Sequence, residues 1–362
     1  MFRQTFAFAV VTLALVAPAN TVQDQAYFAI LAETKVGRMA GMPVMDLGDL
    51  PPGFSLPPEA MMFAGIPARI LNIRLWSPSI APPNATASVA PPAGLKQGPK
   101  LDLELYRPKA DQTTGEPTKD FNPGQTPDFT IKIYWGSSTT VKEGQPKIFK
   151  WDGISAEQQA AMMEQAKTAQ QASSYFYKPN WTTGYWPTTK QPGKIAKDAS
   201  LVGKYSLTTN YTGNVEIEAP SNVNFLNGYE ITSPDLEEKI DLKKAMTFKW
   251  KAIPNALGQY ASIIAMEGKN TLIIWSSSEI YEDGLMGNMD FMQMADVRAN
   301  VTKTIFMPPT QTTVSVPNGI FAKADFVMMN MGAWGPGAAL ETAQPLPRIQ
   351  TKSSLMLMLG GK

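Results

Sequence analysis

The sequence predicts a mainly β protein, and three observations carry that expectation. Several short stretches alternate apolar and polar residues with period two, the mark of a half-buried strand. The chain holds 30 Pro and 27 Gly in 362 residues, a density that breaks long helices. Only one stretch has a helical signature.

In chain order, the first segment reads as a secretory signal. Arg3 supplies the positive charge, Phe6 to Val16 an almost wholly apolar run, and Ala17-Pro18-Ala19 small residues around a cleavage site. The run is too short to span a bilayer as a helix. Cleavage after Ala19 leaves Asn20 as the expected mature N-terminus, with neither an integral membrane segment nor a lipid-anchor cysteine in the mature chain. The expected location is periplasmic or extracellular.

From Pro51 to Lys100 the chain is rich in Pro-Pro pairs, at 51–52, 57–58, 82–83 and 91–92, with one strand expected inside, Ile70 to Trp76. Leu101 to Tyr106 and Phe129 to Trp135 alternate cleanly and are expected as strands, separated by a polar loop. Ser155-Ala-Glu-Gln158 fits a capping box, and helix formers continue to Ser173, so a helix is expected over about 156–173. Gly203 to Thr209 and Gly213 to Glu218 form an expected hairpin. Strands are expected again at Tyr229–Ile231, Met246–Trp250, Gln259–Ala265 and Thr271–Trp275. Thr312–Val316 and Ile320–Met329 flank Pro317-Asn-Gly319, a hairpin signal, and the tail after Gly335 reads as loosely ordered.

The stretch from Thr247 to Tyr260 resembles the second and third strands of a fibronectin type III-like sandwich, where a Trp ends one strand and a Tyr opens the next across a Pro/Gly-rich link. The resemblance implies a fibronectin- or Ig-like β-sandwich in the C-terminal half, with Trp250 and Tyr260 packed between two sheets. The expected organisation is a signal over 1–19, an N-terminal β-rich unit over 20–125, a β unit with the helix and an aromatic loop over 126–226, a β-sandwich-like domain over 227–334 and a tail over 335–362.

Composition narrows the chemistry. The chain has no Cys and no His, which removes disulfides, Ser-His-Asp and Cys-His catalysis, and His-ligated metal sites. Without Arg3, 31 basic residues face 31 acidic ones, and no long basic run exists, so nucleic acid is not an expected partner. The expected function is that of a non-enzymatic binding or structural protein whose partner is a protein or a glycan.

Three clusters could carry recognition or chemistry. Tyr175, Tyr177, Trp181, Tyr185 and Trp186 crowd one stretch expected as an irregular loop, where aromatic rings stack on sugars or anchor a partner. Methionine is unusually common, at 20 residues, and Met286, Met289, Met292 and Met294 follow M-x-x-M-x-x-M-x-M. Thioethers are soft ligands that select Cu(I), so these four are the residues of an alternative reading as a Cu(I)-binding protein, against the simpler expectation that Met fills cores. Met39, Met42 and Met45, and Met328, Met329 and Met331, form two further sets. A third reading, a glycan hydrolase, needs two facing acids, drawn from Asp283 with Asp290 or Glu279 with Glu282. The acidic run Asp235, Glu237, Glu238 and Asp241 lacks calcium-loop spacing and reads as a solvated face.

Overall fold

The computed structural model describes residues 26–44, 63–78, 80–107, 129–150, 181–282, 289, 292–339 and 348–361. Its strands are β1 (Tyr27–Met39), β2 (Ala68–Ser77), β3 (Ala87–Ala90), β4 (Leu101–Asp102), β5 (Glu104–Tyr106), β6 (Thr130–Trp135), β7 (Lys147–Lys150), β8 (Thr182–Trp186), β9 (Gly203–Thr209), β10 (Val215–Ala219), β11 (Ile231–Ser233), β12 (Met246–Trp250), β13 (Gly258–Glu267), β14 (Thr271–Ser276), β15 (Thr313–Val316), β16 (Phe326–Ala338) and β17 (Ile349–Gly360). Among the described residues the single α-helix, α1, spans Met294–Thr302, and the protein is mainly β. The helix expected over 156–173 lies outside the described residues. No described helix is long and apolar enough to cross a membrane, which says nothing of a β-barrel.

One ten-stranded sheet, ordered β5-β8-β2-β1-β17-β16-β13-β14-β6-β7, organises the molecule. Its neighbours are antiparallel except at β1/β17 and β14/β6, which run parallel. Two smaller sheets, β10-β9-β3-β4 and β11-β12-β15, complete the fold. Both cover the same face of the large sheet. Strand alternation shows this directly: Phe28, Ile30 and Ala32 of β1 and Leu71, Ile73 and Leu75 of β2 share a core with Val89, Tyr205, Leu207 and Ile217 of the four-stranded sheet. Ile263, Trp275, Met329 and Leu357 of the large sheet share a second core with Phe248, Trp250, Val314 and Val316 of the three-stranded one. Each of these positions is two residues from the next inward one, as the pleat requires.

Four details depart from the sequence-based expectation. The stretch 349–360, placed in a loose tail, is β17, a central strand of the large sheet. Leu355, Leu357 and Leu359 enter the core while Met356 and Met358 face the other way, so the strand is apolar on both faces and lacks the alternation that signals a strand. The expected hairpin at Pro317-Asn-Gly319 does not form: β15 belongs to the three-stranded sheet and β16 to the ten-stranded one. Between them Ile320, Phe321 and Ala324 fill the core that separates the layers, and burying those side chains outweighs a local turn preference. The strand expected over 101–106 breaks at the buried Leu103, whose N–H donates to the Ala87 carbonyl at 2.9 Å; β4 joins the four-stranded sheet and β5 the edge of the large one. Finally, Trp250 lies between the sheets but Tyr260 does not; it points to the opposite face and meets the Phe306 ring, 5.5 Å between centroids.

The residue beside Tyr260 takes the place expected for it. Gln259 is fully buried, and its side-chain oxygen accepts from the Tyr229 hydroxyl at 3.2 Å and the Trp250 indole N–H at 3.0 Å. Its amide nitrogen donates to the carbonyls of Pro309 and Gln311, at 3.2 and 2.8 Å. The amide thus ties three segments through groups that would be costly to bury alone.

Candidate functional site

The face of the large sheet turned away from both small sheets carries the candidate site. Two described groups cover parts of it. At one end α1 packs Val297 over Tyr260, Phe306 and Trp334. Toward β2, Trp181 packs with Ala29 and Trp76, and its ring stacks on Tyr27 with 6.1 Å between centroids. Between them lies a hollow of about 460 Å³ over β1, β17, β16 and β13.

Register explains what lines it. Glu33 of β1 is level with Lys352 of β17 and Trp334 of β16. Lys35, Ser354, Gly332 and Tyr260 form the next row, and Gly37, Met356, Asn330 and Ser262 the one after. Successive rows are two residues apart, so their side chains stand on one face. The polar ends of Glu33, Lys35, Ser262, Asn330, Lys352 and Ser354 therefore converge, all half-buried. The Glu33 carboxylate accepts from the Ser354 hydroxyl. The Lys352 ammonium sits 5.7 Å above the Trp334 ring, a cation–π contact.

The aromatic wall is held rigidly. Trp334 stacks on Phe306 at 4.8 Å and its indole N–H donates to the Met289 carbonyl at 2.9 Å. A Cβ at Gly332 would lie 2.9 Å from the Trp334 ring, so only glycine lets the indole lie flat on the sheet. Burial pushes the Tyr260 phenol up to about 12, partly offset by a hydrogen bond with Ser276. It remains a neutral donor across the physiological range.

The residues singled out from the sequence go elsewhere. Tyr175 and Tyr177 lie outside the described residues. The rest of that stretch is not an irregular loop, because Thr182–Trp186 is strand β8, paired with β2 and β5. Trp181 is buried in the small aromatic cluster, and Trp186 is in the core with its N–H donating to Gln191 at 3.2 Å. Tyr185 faces the other way, under the guanidinium of Arg74. Arg74 is held by the carbonyls of Ile73 and Trp186, and burial lowers its pKa.

Met286 lies outside the described residues. Met289 and Met292 pack against the Tyr260–Phe306–Trp334 cluster, and the sulfur of Met294 accepts the Gly337 N–H at 3.1 Å. Asp283 and Asp290 also lie outside the described residues, Glu282 is exposed, and Glu279 is engaged by Lys142 and the Ser137 N–H. In the acidic run, Asp235 and Asp241 cap the N–H groups of Glu237 and Lys243. The hydrogen bond from the Lys243 N–H, and after it the Lys244 ammonium, lower the pKa of Asp241.

Sequence reasoning missed Glu33, Lys35, Asn330, Lys352 and Ser354. The available signal was a short alternation in Glu33-Thr-Lys35 and Lys352-Ser-Ser354, too brief to set apart from a solvated strand. Compared with known families and with curated proteins, the chain matches no family model and no curated relative.

Proposed function

We propose that this chain is an exported, non-enzymatic binding protein that seats an acidic glycan in the hollow on the face of its ten-stranded sheet turned away from the two small sheets. One observation carries the reading: Glu33, Lys35, Asn330, Lys352 and Ser354 converge in one half-buried hollow against a rigid aromatic wall. A concave site with a few convergent polar groups on rigid elements is the usual form of a small-ligand site. The mixture of donors and acceptors suits a hydroxyl-rich ligand, and the Lys35 ammonium lining the hollow favours a ligand carrying negative charge. Export rests on Arg3, the apolar run Phe6 to Val16 and Ala17-Pro18-Ala19.

Two measurements test this. Tryptophan fluorescence titrated with a glucuronate-containing disaccharide is expected to saturate, while the neutral disaccharide binds more weakly. Lys35→Met is expected to weaken the acidic sugar by roughly tenfold, the scale of one charge-assisted contact. No saturable response to the acidic sugar, or equal response to both, overturns the glycan reading. Mass spectrometry of protein from the cell envelope or medium is expected to find Asn20 at or near the N-terminus; an intact Met1 there overturns export.

A further inference from the structure

Beside the polar hollow, the same face turns to methionine, and this brings together residues that the sequence scatters. Met39 of β1 is level with Met358 of β17, and Met358 is level with Met328 of β16. Met356 stands two residues before Met358 on the same strand and the same face. All four are half-buried and none belongs to a core cluster. By contrast Met329 and Met331, neighbours of Met328 in sequence, point into the core under the three-stranded sheet.

We propose that Met39, Met328, Met356 and Met358 form a thioether site for a soft monovalent d¹⁰ cation, Cu(I), with Ag(I) as its redox-inert probe. Adjacent strands are about 4.8 Å apart and same-face neighbours along a strand about 6.8 Å apart, so three thioethers surround that of Met358 at lateral and next-neighbour spacing. Methionine has three rotatable bonds beyond its Cα, which lets sulfurs from these positions converge without moving the backbone. Neutral sulfur ligands select Cu(I) and Ag(I) over hard cations. In a chain with neither Cys nor His, thioethers are the only soft ligands available, and these four share one face at neighbouring positions. The site is separate from Met286, Met289, Met292 and Met294, of which the described three pack on aromatic rings or accept a backbone N–H. It does not depend on the glycan reading.

The thioether origin has a distinctive consequence. Cys and His ligands must lose protons before they bind, so their metal affinity falls in acid. A thioether carries no proton to lose, and affinity here is expected to stay flat between about pH 5.5 and about pH 7.5.

The experiment titrates the full chain with Ag(I) in chloride-free buffer, and with Cu(I) under ascorbate against a competing chelator. One ion per chain is expected. Met328→Leu with Met358→Leu is expected to weaken binding on the order of 100-fold, because two of four soft donors are lost. Met289→Leu with Met292→Leu is expected to leave affinity unchanged. Leu for Met nearly conserves volume, and a thermal melt of each variant checks that both remain folded. Methyl resonances of labelled methionine give a second readout: Ag(I) is expected to shift those of Met39, Met328, Met356 and Met358 and to spare those of Met289 and Met292. Absence of wild-type binding, wild-type affinity in the Met328/Met358 variant, or affinity that drops on acidification each overturns the proposal.

Discussion

The two faces of the ten-stranded sheet are built from nearly the same residue types and behave differently. On the covered face Ile263, Trp275, Met329 and Leu357 are fully buried against Phe248, Val314 and Val316. On the other face Ile264, Ile274, Met328 and Met358, each the sequence neighbour of one of those residues, are only half-buried. The four form a continuous row, level across β17, β16, β13 and β14. Hydrophobicity therefore does not distinguish the faces; parity along the strand does, because among the described residues a second sheet packs on one side only. Among the described residues, one face packs against two further sheets, and the other is only partly covered.

The largest expected effect tests the tightness of burial. Burial raises the pKa of Tyr205 and Tyr229, both in the covered cores, and takes Tyr260 on the opposite face to about 12. In the unfolded chain these phenols titrate near their ordinary value of about 10. As pH rises the unfolded chain loses these protons first. The stabilising contribution is therefore whole below about pH 10 and is lost as pH rises from there toward the folded values. The slope is about 1.4 kcal/mol per pH unit for each tyrosine, and denaturant unfolding between about pH 8 and about pH 11.5 measures it. A curve that stays flat across that range shows that the phenols are reached by water.

Next comes a direct contrast between sequence neighbours. Met329→Ala empties a fully buried site and is expected to cost about 2–5 kcal/mol. Met328→Ala, one residue earlier and on the other face, is expected to cost less than about 1 kcal/mol. The same urea unfolding series reads both. Equal losses mean that the second face is also packed, and the comparison fails.

A smaller effect, confined to the covered side, is expected at Gln259. Gln259→Leu keeps most of the volume but leaves the Tyr229 hydroxyl and the Trp250 N–H without their acceptor. The expected cost is about 3 kcal/mol, from buried groups left unsatisfied. A cost under about 1 kcal/mol shows that water replaces the amide and that the layer boundary is wetter than its burial implies.

Local pattern made much of the β character legible. Alternation at Phe129–Trp135 and Gly203–Thr209 marks strands β6 and β9, and the turn at Asn210–Thr212 sits in the β9/β10 hairpin. What failed was reading long apolar strands and pairings between layers. Leu355 to Leu359 lacks alternation because Met356 and Met358 make the second face of this central strand apolar as well. Pro317-Asn-Gly319 has the chemistry of a hairpin turn, but the chain there leaves one sheet for another. The candidate site was illegible for a related reason. Its residues come from β1, β13, β16 and β17, and Glu33 meets Lys352 across more than three hundred positions of sequence through the parallel β1/β17 pairing. No local window contains that information.

By itself, the sequence determined the β-rich character, the absence of Cys and His chemistry, and the supply of thioethers as the only soft ligands. These follow from composition and short-range stereochemistry, which each residue carries wherever it lies. The tertiary structure alone decided which face of each strand became core, and which Glu, Lys and Met side chains share a surface. Those outcomes rest on register and layer packing between distant strands, where a shift of one residue moves every side chain to the opposite face.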